Sequence, residues 1–351
     1  MEKISKVIVL LFLLSSLIIR SQTFIGKVVD SQNLALENVA VYFDNTSIGT
    51  VTDSLGNFFI NHLETPNKPL VFRLVGYEVL VVDNPLKDNL KKIILYAKPE
   101  ILDDVIIEAD PWTRQRKENY FKSYFLGKNQ MKEYCKIQNI EDVDLRFSPS
   151  DGILYCTSDK PILVEHKKLS YLIEVDLDYF NLTFNKLNMG DLKFSLSPRI
   201  IKGAIRTFYK ELVNNGKTSK RKLKLRDEVY ELSSLRFYRA MINETLPQDN
   251  YKMYYEDTVV DTKEHIRVNK VGAFFSIALK NDTYLIEDKF GNKTQIAPLQ
   301  QIFIVNKNGY LIDENGGISN KRAFAFRGHL GNLGISMRLP DDYICSNCTK
   351  L

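Results

Sequence analysis

The pattern of apolar and polar positions changes character along the 351-residue chain. Between Phe24 and Tyr96 it alternates with period two: Phe24, Gly26 and Val28 share one face, then Val39, Val41 and Phe43, then Phe58 and Ile60, then Leu70, Phe72 and Leu74. Successive strand side chains point to opposite faces, so this alternation predicts half-buried strands. With runs at Ile48 to Thr52, Val79 to Val82 and Ile93 to Tyr96, about seven strands follow at the spacing of a β-sandwich. The run from Gly49 to Ile60 is central and reads as a hairpin. Its polar turn offers Asp53 to bond the backbone and Gly56 to take positive φ. Asp30-Ser31-Gln32-Asn33, Thr65-Pro66-Asn67 and Asp83-Asn84-Pro85 supply further turns.

From residue 110 a helical period enters. Asp110 suits an N-cap and Pro111 the first helical position, and Tyr120, Phe121, Tyr124 and Phe125 form a stripe before Gly127, which predicts a helix over 111–126. Strand-like pieces follow at Tyr134 to Gln138, Val143 to Phe147, Ile153 to Thr157, Ile162 to Glu165 and Tyr171 to Phe184. Ser197 and Pro198 open a second expected helix, with Ile201, Ala204, Ile205, Phe208, Tyr209 and Leu212 on one face and Gly216 closing it. A third is expected over Asp227 to Leu246, stopped by Pro247. Strands then return at 251–255, 265–269, 274–279, 284–288, 302–306, 310–313, 323–326 and 335–339, with Asn308-Gly309 as a hairpin signal. The expected fold is mainly β: an antiparallel sandwich followed by an α+β domain with an antiparallel sheet and about three helices. The expected divisions are an export signal over 1–21, the sandwich over 22–97, a linker strand over 98–110 and the α+β domain over 111–351. Lys98-Pro99-Glu100 forms a polar stop, so the sandwich is expected to fold by itself.

These residues also carry a resemblance. Gly26-Lys27-Val28-Val29-Asp30, Leu36-Glu37-Asn38-Val39, the run from Gly49 to Phe58 and Val75-Gly76-Tyr77 resemble the carboxypeptidase regulatory-like domain. Ala35 departs from that pattern, which more often has proline there. The resemblance implies a transthyretin-like sandwich. It also implies an address, because this domain stands at the amino end of many exported Gram-negative envelope proteins, TonB-dependent nutrient receptors among them. Leu102-Asp103-Asp104-Val105-Ile106-Ile107-Glu108-Ala109 resembles the strand that follows the domain in those receptors. The remaining residues, on the order of 240, are too few for a plug and large barrel, since each barrel strand takes about 10 residues before its loops. Tyr124-Phe125-Leu126-Gly127, Ser158-Asp159-Lys160-Pro161, Ser234-Leu235-Arg236 and Leu339-Pro340-Asp341-Asp342-Tyr343 resemble exported proteins with the same front domain and no assigned activity.

The first residues fit that address. Lys3 and Lys6 precede an apolar run from Val7 to Ile19, the layout of a secretory signal. The run falls short of the ~20 residues that a membrane helix needs. Ser21 suits a cleavage edge, whereas the bulk of Ile19 leaves an uncleaved anchor as the alternative. Hydrophobic residues make up 44% of the chain, ample for sizeable cores. The formal charge of +5 falls to +3 when residues 1–21, with Lys3, Lys6, Arg20 and Glu2, are set aside. So small an excess points to no polyanionic partner, and the expected export argues further against nucleic acid.

The chemistry-bearing residues form few recognisable constellations. A zinc carboxypeptidase site needs a histidine and a glutamate three apart, and none of His62, His166, His265 or His329 has one, so no catalytic, cofactor or metal residue is assigned. No Gly-x-Ser-x-Gly elbow occurs. Gly328-His329-Leu330-Gly331-Asn332-Leu333-Gly334 lacks dinucleotide-binding spacing and reads as a loop. The basic residues Lys217, Lys220, Arg221, Lys222, Lys224 and Arg226 would suit anionic headgroups or peptidoglycan carboxylates, yet Asp227 and Glu228 follow at once and favour a solvated helix entry. Asp159-Lys160-Pro161 and Asp341-Asp342-Tyr343 suit either a pocket lining or turn capping. Of four cysteines, Cys345 and Cys348 stand three apart, and Ser346 and Asn347 tolerate the turn that a disulfide would close. Free thiols, or a link to Cys135 or Cys156, are the alternatives. The expected role is an exported, non-catalytic binding or assembly protein of the periplasm or outer membrane. Its partner would be an envelope protein or glycan, with peripheral membrane association also open, and the competing class is a glycan- or peptide-directed hydrolase in the second domain.

Overall fold

The computed structural model describes residues 22–62, 68–99, 108–187, 193–212, 218–272, 274–298, 310–317, 324–346 and 348. The expected signal at 1–21, the turn at 65–67, most of the linker strand, the strand at 302–306 and the Asn308-Gly309 hairpin lie outside the described residues.

Among the described residues, seven strands build the sandwich: β1 (Gln22–Asp30), β2 (Ala40–Phe43), β3 (Gly49–Val51), β4 (Asn57–His62), β5 (Leu70–Arg73), β6 (Leu80–Val82) and β7 (Lys92–Leu95). One sheet has the order β4-β1-β7 and the other β3-β2-β5-β6. All pairings are antiparallel except that of β1 with β7. Between the sheets lie Phe24, Val28, Phe58 and Ile60 from one side and Val41, Phe43, Leu70 and Phe72 from the other.

The expected hairpin at Gly49 to Ile60 is instead an arch, because β3 and β4 belong to different sheets. Its turn chemistry is as expected: Asp53 accepts the N–H groups of Leu55 (2.9 Å) and Asn57 (2.8 Å), and Gly56 has φ +78°. Buried Thr52 sends the chain across. Its hydroxyl donates to the Leu36 carbonyl (2.6 Å) and accepts the Val39 N–H (2.9 Å), bonds that a strand paired directly with its successor would not need.

The rest of the described chain is α+β. Helix α1 (Arg114–Phe125) packs on a six-stranded sheet of β8 (Cys135–Ile137), β9 (Asp144–Ser148), β10 (Ile153–Thr157), β11 (Ile162–His166), β12 (Tyr171–Thr183) and β13 (Ile200–Glu211). Helices α2 (Lys220–Glu231) and α3 (Ser234–Ile242) lead into β14 (Lys252–Tyr255), β15 (Thr258–Val259), the single-turn α4 (Thr262–His265) and strands β16 (Ile266–Val271) to β18 (Tyr284–Glu287). The last strands are β19 (Lys293–Pro298), β20 (Tyr310–Asp313) and β21 (Phe324–Gly328). Two cores form here: one around Trp112, Phe121, Phe147 and Tyr171, the other around Phe237, Met241, Ile277 and Ile296.

Several expectations need correction. The segment expected as a helix from Ser197 is strand β13, whose β-branched Ile200, Ile201, Ile205 and Thr207 favour extended backbone. It pairs with β12 from Tyr171↔Glu211 to Thr183↔Ile200, and this long ladder outweighs the helical stripe. The expected helix over 227–246 is two, starting inside the basic run, because Ser233 interrupts it and caps α3 by accepting the Arg236 N–H (3.2 Å). Helix α1 starts at Arg114 with Thr113 as its cap, while Asp110 instead binds the Trp112 and Phe147 N–H groups and Lys117. Residues 335–337 form a 3-10 turn, not a strand.

Gly127 and Gly334 explain that last difference. Gly127 has φ +99°, and a Cβ there would lie 2.1 Å from the Leu333 carbonyl oxygen. A Cβ on Gly334 would lie 2.3 Å from the Gly127 nitrogen. The two backbones touch, so the carboxyl-terminal segment enters the core only where both side chains are missing. Gly127→Ala is expected to destabilise the protein by about 2–4 kcal/mol, from strained φ plus overlap. Urea denaturation checks this, and an unchanged midpoint would refute the close approach.

Candidate functional site

Among the described residues, the largest concentration of buried charge lies where the sheet β3-β2-β5-β6 meets strand β13 and the segment 339–343. Strands β2 and β5 bury both their faces: Val41, Phe43, Leu70 and Phe72 point into the sandwich, while Tyr42 and Val71 point out against Phe208. The rings of Tyr42 and Phe208 stack at 4.9 Å. Beside them the β2–β3 turn docks on β13, with the Asn45 N–H donating to the Thr207 carbonyl (2.8 Å) and the Tyr209 N–H to the Thr46 carbonyl (3.0 Å). The Asp341 N–H donates to the Asn45 carbonyl (2.7 Å).

Two ion clusters fill this seam. In the first, Arg73 binds Asp176 (2.8 Å) and Glu174, Lys210 also binds Glu174, and the Tyr42 hydroxyl donates to Asp176. Two cations face two carboxylates. Burial disfavours the Glu174 anion, but Lys210 and Arg73 outweigh it and hold its carboxyl below the usual range. Burial, seconded by Asp176, pushes the Tyr42 hydroxyl well above its ordinary value.

The second cluster is unbalanced. Lys68 binds both Asp313 (2.6 Å) and Asp341, and all three are buried. Asn45 donates a further hydrogen bond to Asp341. Burial works against the Lys68 ammonium, but the two carboxylates outweigh it and hold its proton above the usual lysine range. Burial lifts Asp341 to about 6, because one lysine cannot neutralise two aspartates. Asp313 keeps other partners, the N–H groups of Asn315 (2.8 Å) and Gly317 (3.0 Å), so the surplus charge falls on Asp341. Lys68, Glu174, Asp176, Asp313 and Asp341 are all buried and paired with one another or with Arg73 and Lys210, an arrangement that suits clamping rather than turnover.

The other singled-out residues sit in local structure. His166 lies 3.0 Å from the Ser336 carbonyl, His265 2.9 Å from the Tyr284 hydroxyl and His329 3.2 Å from the Leu232 carbonyl. From the basic run, Arg226 is buried over Tyr171 and binds Glu211 (2.7 Å), and Lys222 caps the Lys167 carbonyl (2.6 Å). Lys220, Arg221 and Lys224 are exposed. Asp159 pairs with Lys98 (2.8 Å) and Lys160 with Asp142 (2.8 Å). Asp342 binds Ser47, and Tyr343 donates to Asp227 (2.5 Å), so Asp341-Asp342-Tyr343 belongs to the seam.

Cys345 and Cys348 are joined in a disulfide, while Cys156 is buried and Cys135 half-buried as thiols. Burial pushes the Cys135 thiol up to about 12, too high to supply a reactive thiolate. Among the described residues, Glu231, Cys345 and Cys348 gather three metal-ligating groups within 4.8 Å. The disulfide consumes both thiolates, and Arg236 (3.3 Å) and Lys289 (2.5 Å) pair the carboxylate, so the group does not fit a metal. An open hollow of about 500 Å³ is lined by Tyr255, Glu256, Lys280, Asn281, Asp282 and Thr283.

The sequence reading missed Tyr42, Lys68, Arg73 and Asp313. A signal was available in Ala40-Val41-Tyr42-Phe43 and Leu70-Val71-Phe72, which are continuously apolar rather than alternating. Such runs mark a sheet covered on both faces.

The architecture is that of a small β-sandwich clamped through one sheet onto an α+β body. Residues 24–107 match the CarboxypepD_reg-like domain, which identifies the sandwich as a carboxypeptidase regulatory-like domain. No curated protein matches the chain.

Proposed function

We propose that this is an exported, non-enzymatic binding or assembly protein of the cell envelope, acting at the outer membrane through its sandwich. The observation that carries this reading is the different fate of the two sheets. The sheet β3-β2-β5-β6 is occupied by the α+β body. The sheet β4-β1-β7 turns outward and leaves Ile25 60% and Phe59 56% exposed. These two are direct cross-strand partners, an apolar pair held in water by a well-formed sheet. The competing hydrolase would draw on the hollow at Tyr255, whose lining supplies no serine–histidine pair and does hold the carboxylates of Glu256 and Asp282, but the hollow is open rather than deep and gives a substrate little enclosure. A photo-reactive residue at position 59, activated in intact cells, is expected to capture an envelope component, while the same residue at the exposed position 220 captures none. Equal labelling from both positions would count against the outward sheet as the binding face.

A further inference from the structure

The outward face of β4-β1-β7 carries more than the apolar pair. On β1, Thr23, Ile25 and Lys27 are exposed while Phe24, Gly26 and Val28 are buried, so the first three share the outer face. Lys27 stands directly opposite Lys92 in the parallel register of β1 and β7, and both are exposed. Like charges set opposite each other on one face are unfavourable unless an anion lies against them. Among the described residues no ion pair within 4 Å holds either lysine; the Asp53 carboxylate, which accepts the Leu55 and Asn57 N–H groups and the Asn57 amide, attracts Lys27 from a distance without touching it. Ile94, two residues beyond Lys92 on the same face of β7, is 38% exposed. The face therefore reads Phe59 and Ile25, then the two lysines, then Ile94.

Size selects among occupants. Strand β4 pairs β1 from Gln22 to Lys27 and β7 pairs it from Lys27 to Asp30, so the face is two strands wide along the nine residues of β1; at about 4.8 Å per strand and ~3.3 Å per residue it presents roughly 300 Å². A stable protein interface needs about 800 Å² from each partner. A flat membrane surface needs no such area from one module. Apolar side chains enter the headgroup boundary while lysines meet the phosphates, their stems lying along the apolar surface.

Building on the binding role proposed above, we infer that the β4-β1-β7 face docks on an anionic lipid surface, with Ile25, Phe59 and Ile94 entering the headgroup layer and Lys27 and Lys92 binding lipid phosphates.

Co-sedimentation of the purified full chain with phosphatidylcholine vesicles, with and without phosphatidylglycerol, tests this. The expected result is binding to the anionic vesicles, weakened by salt and about five-fold weaker for Lys27→Gln or Lys92→Gln. Phe59→Ser is expected to weaken it comparably, and Lys220→Glu to leave it unchanged. All four positions lie on the surface, and matching melting curves establish that the variants fold. Equal binding to neutral vesicles, no binding to either, or indifference to these substitutions overturns the inference. Competition by inorganic phosphate with no dependence on Phe59 also overturns it, since that describes an anion site alone. If vesicles fail while position 59 still captures an envelope protein in cells, the lipid assignment falls and the binding role stands; if both fail, both fall.

Discussion

Replacing Lys68 with methionine is expected to destabilise the protein by about 3–5 kcal/mol, the cost of leaving buried charge without its partner. The variant would hold Asp313 and Asp341 in the closed seam with no cation between them. The surroundings leave no easy escape. A Cβ on Gly317 would lie 1.7 Å from the Lys68 ammonium, so backbone presses directly on the cluster and little room exists for water. Asp341→Asn is expected to leave stability unchanged or raise it, because the Lys68–Asp313 pair survives and only the surplus charge is removed. Urea denaturation followed through Trp112, buried in the core of the α+β body, reads both variants. Equal losses for the two would mean that Lys68 is neutralised evenly by both aspartates and that the cluster carries no surplus.

How far the chain could be read in advance depended on which interactions decided each element. The sandwich strands were legible because period-two burial is a local pattern, and Asp53 and Gly56 marked their turn correctly. That the turn joins two sheets was not legible, because it depends on Thr52 reaching Leu36 and Val39 far along the chain. Strand β13 misled for a related reason. Its apolar residues also fit a helical stripe, and only the partner strand β12 decides between the two. Strand β19, Lys293-Thr294-Gln295-Ile296-Ala297-Pro298, has one large aliphatic residue and went unrecognised. The seam was hidden more deeply. Its charges lie at 68, 73, 174, 176, 210, 313 and 341, and no spacing rule links positions brought together only by tertiary folding. Asp341 and Asp342 drew notice as a polar pair, but their partners Lys68 and Ser47 did not.

Lowering the pH from about 7.5 to about 5 is expected to strengthen the contribution of Asp341 to folding, the reverse of an ordinary paired carboxylate. The Asp341 carboxyl is lifted to about 6 by burial, against about 3.9 in an unfolded chain. A raised folded value means that the native state holds the proton more tightly. The stability this adds is complete below about pH 4 and is lost as pH rises through about 6, with a span of up to about 3 kcal/mol. The facing groups are Lys68, which stays charged throughout, Asp313, which binds the Lys68 ammonium and two backbone N–H groups, and Asp44; the charges of both aspartates add to the lift. Other groups run the opposite way. Burial lowers His166 to about 4, so its contribution is complete above about pH 6.5 and is lost as pH falls toward 4. Glu174, held below the usual range, likewise loses its contribution in acid. The total for the native chain therefore mixes opposing slopes, and the difference between it and Asp341→Asn isolates the one of interest. Asparagine imitates the protonated carboxyl at every pH, so the variant should be the more stable at about pH 7.5, keep about half of that advantage at about pH 5 and lose it by about pH 4. A constant difference across that range, measured by urea denaturation in matched buffers, would show that Asp341 does not titrate there and that Lys68 neutralises it fully.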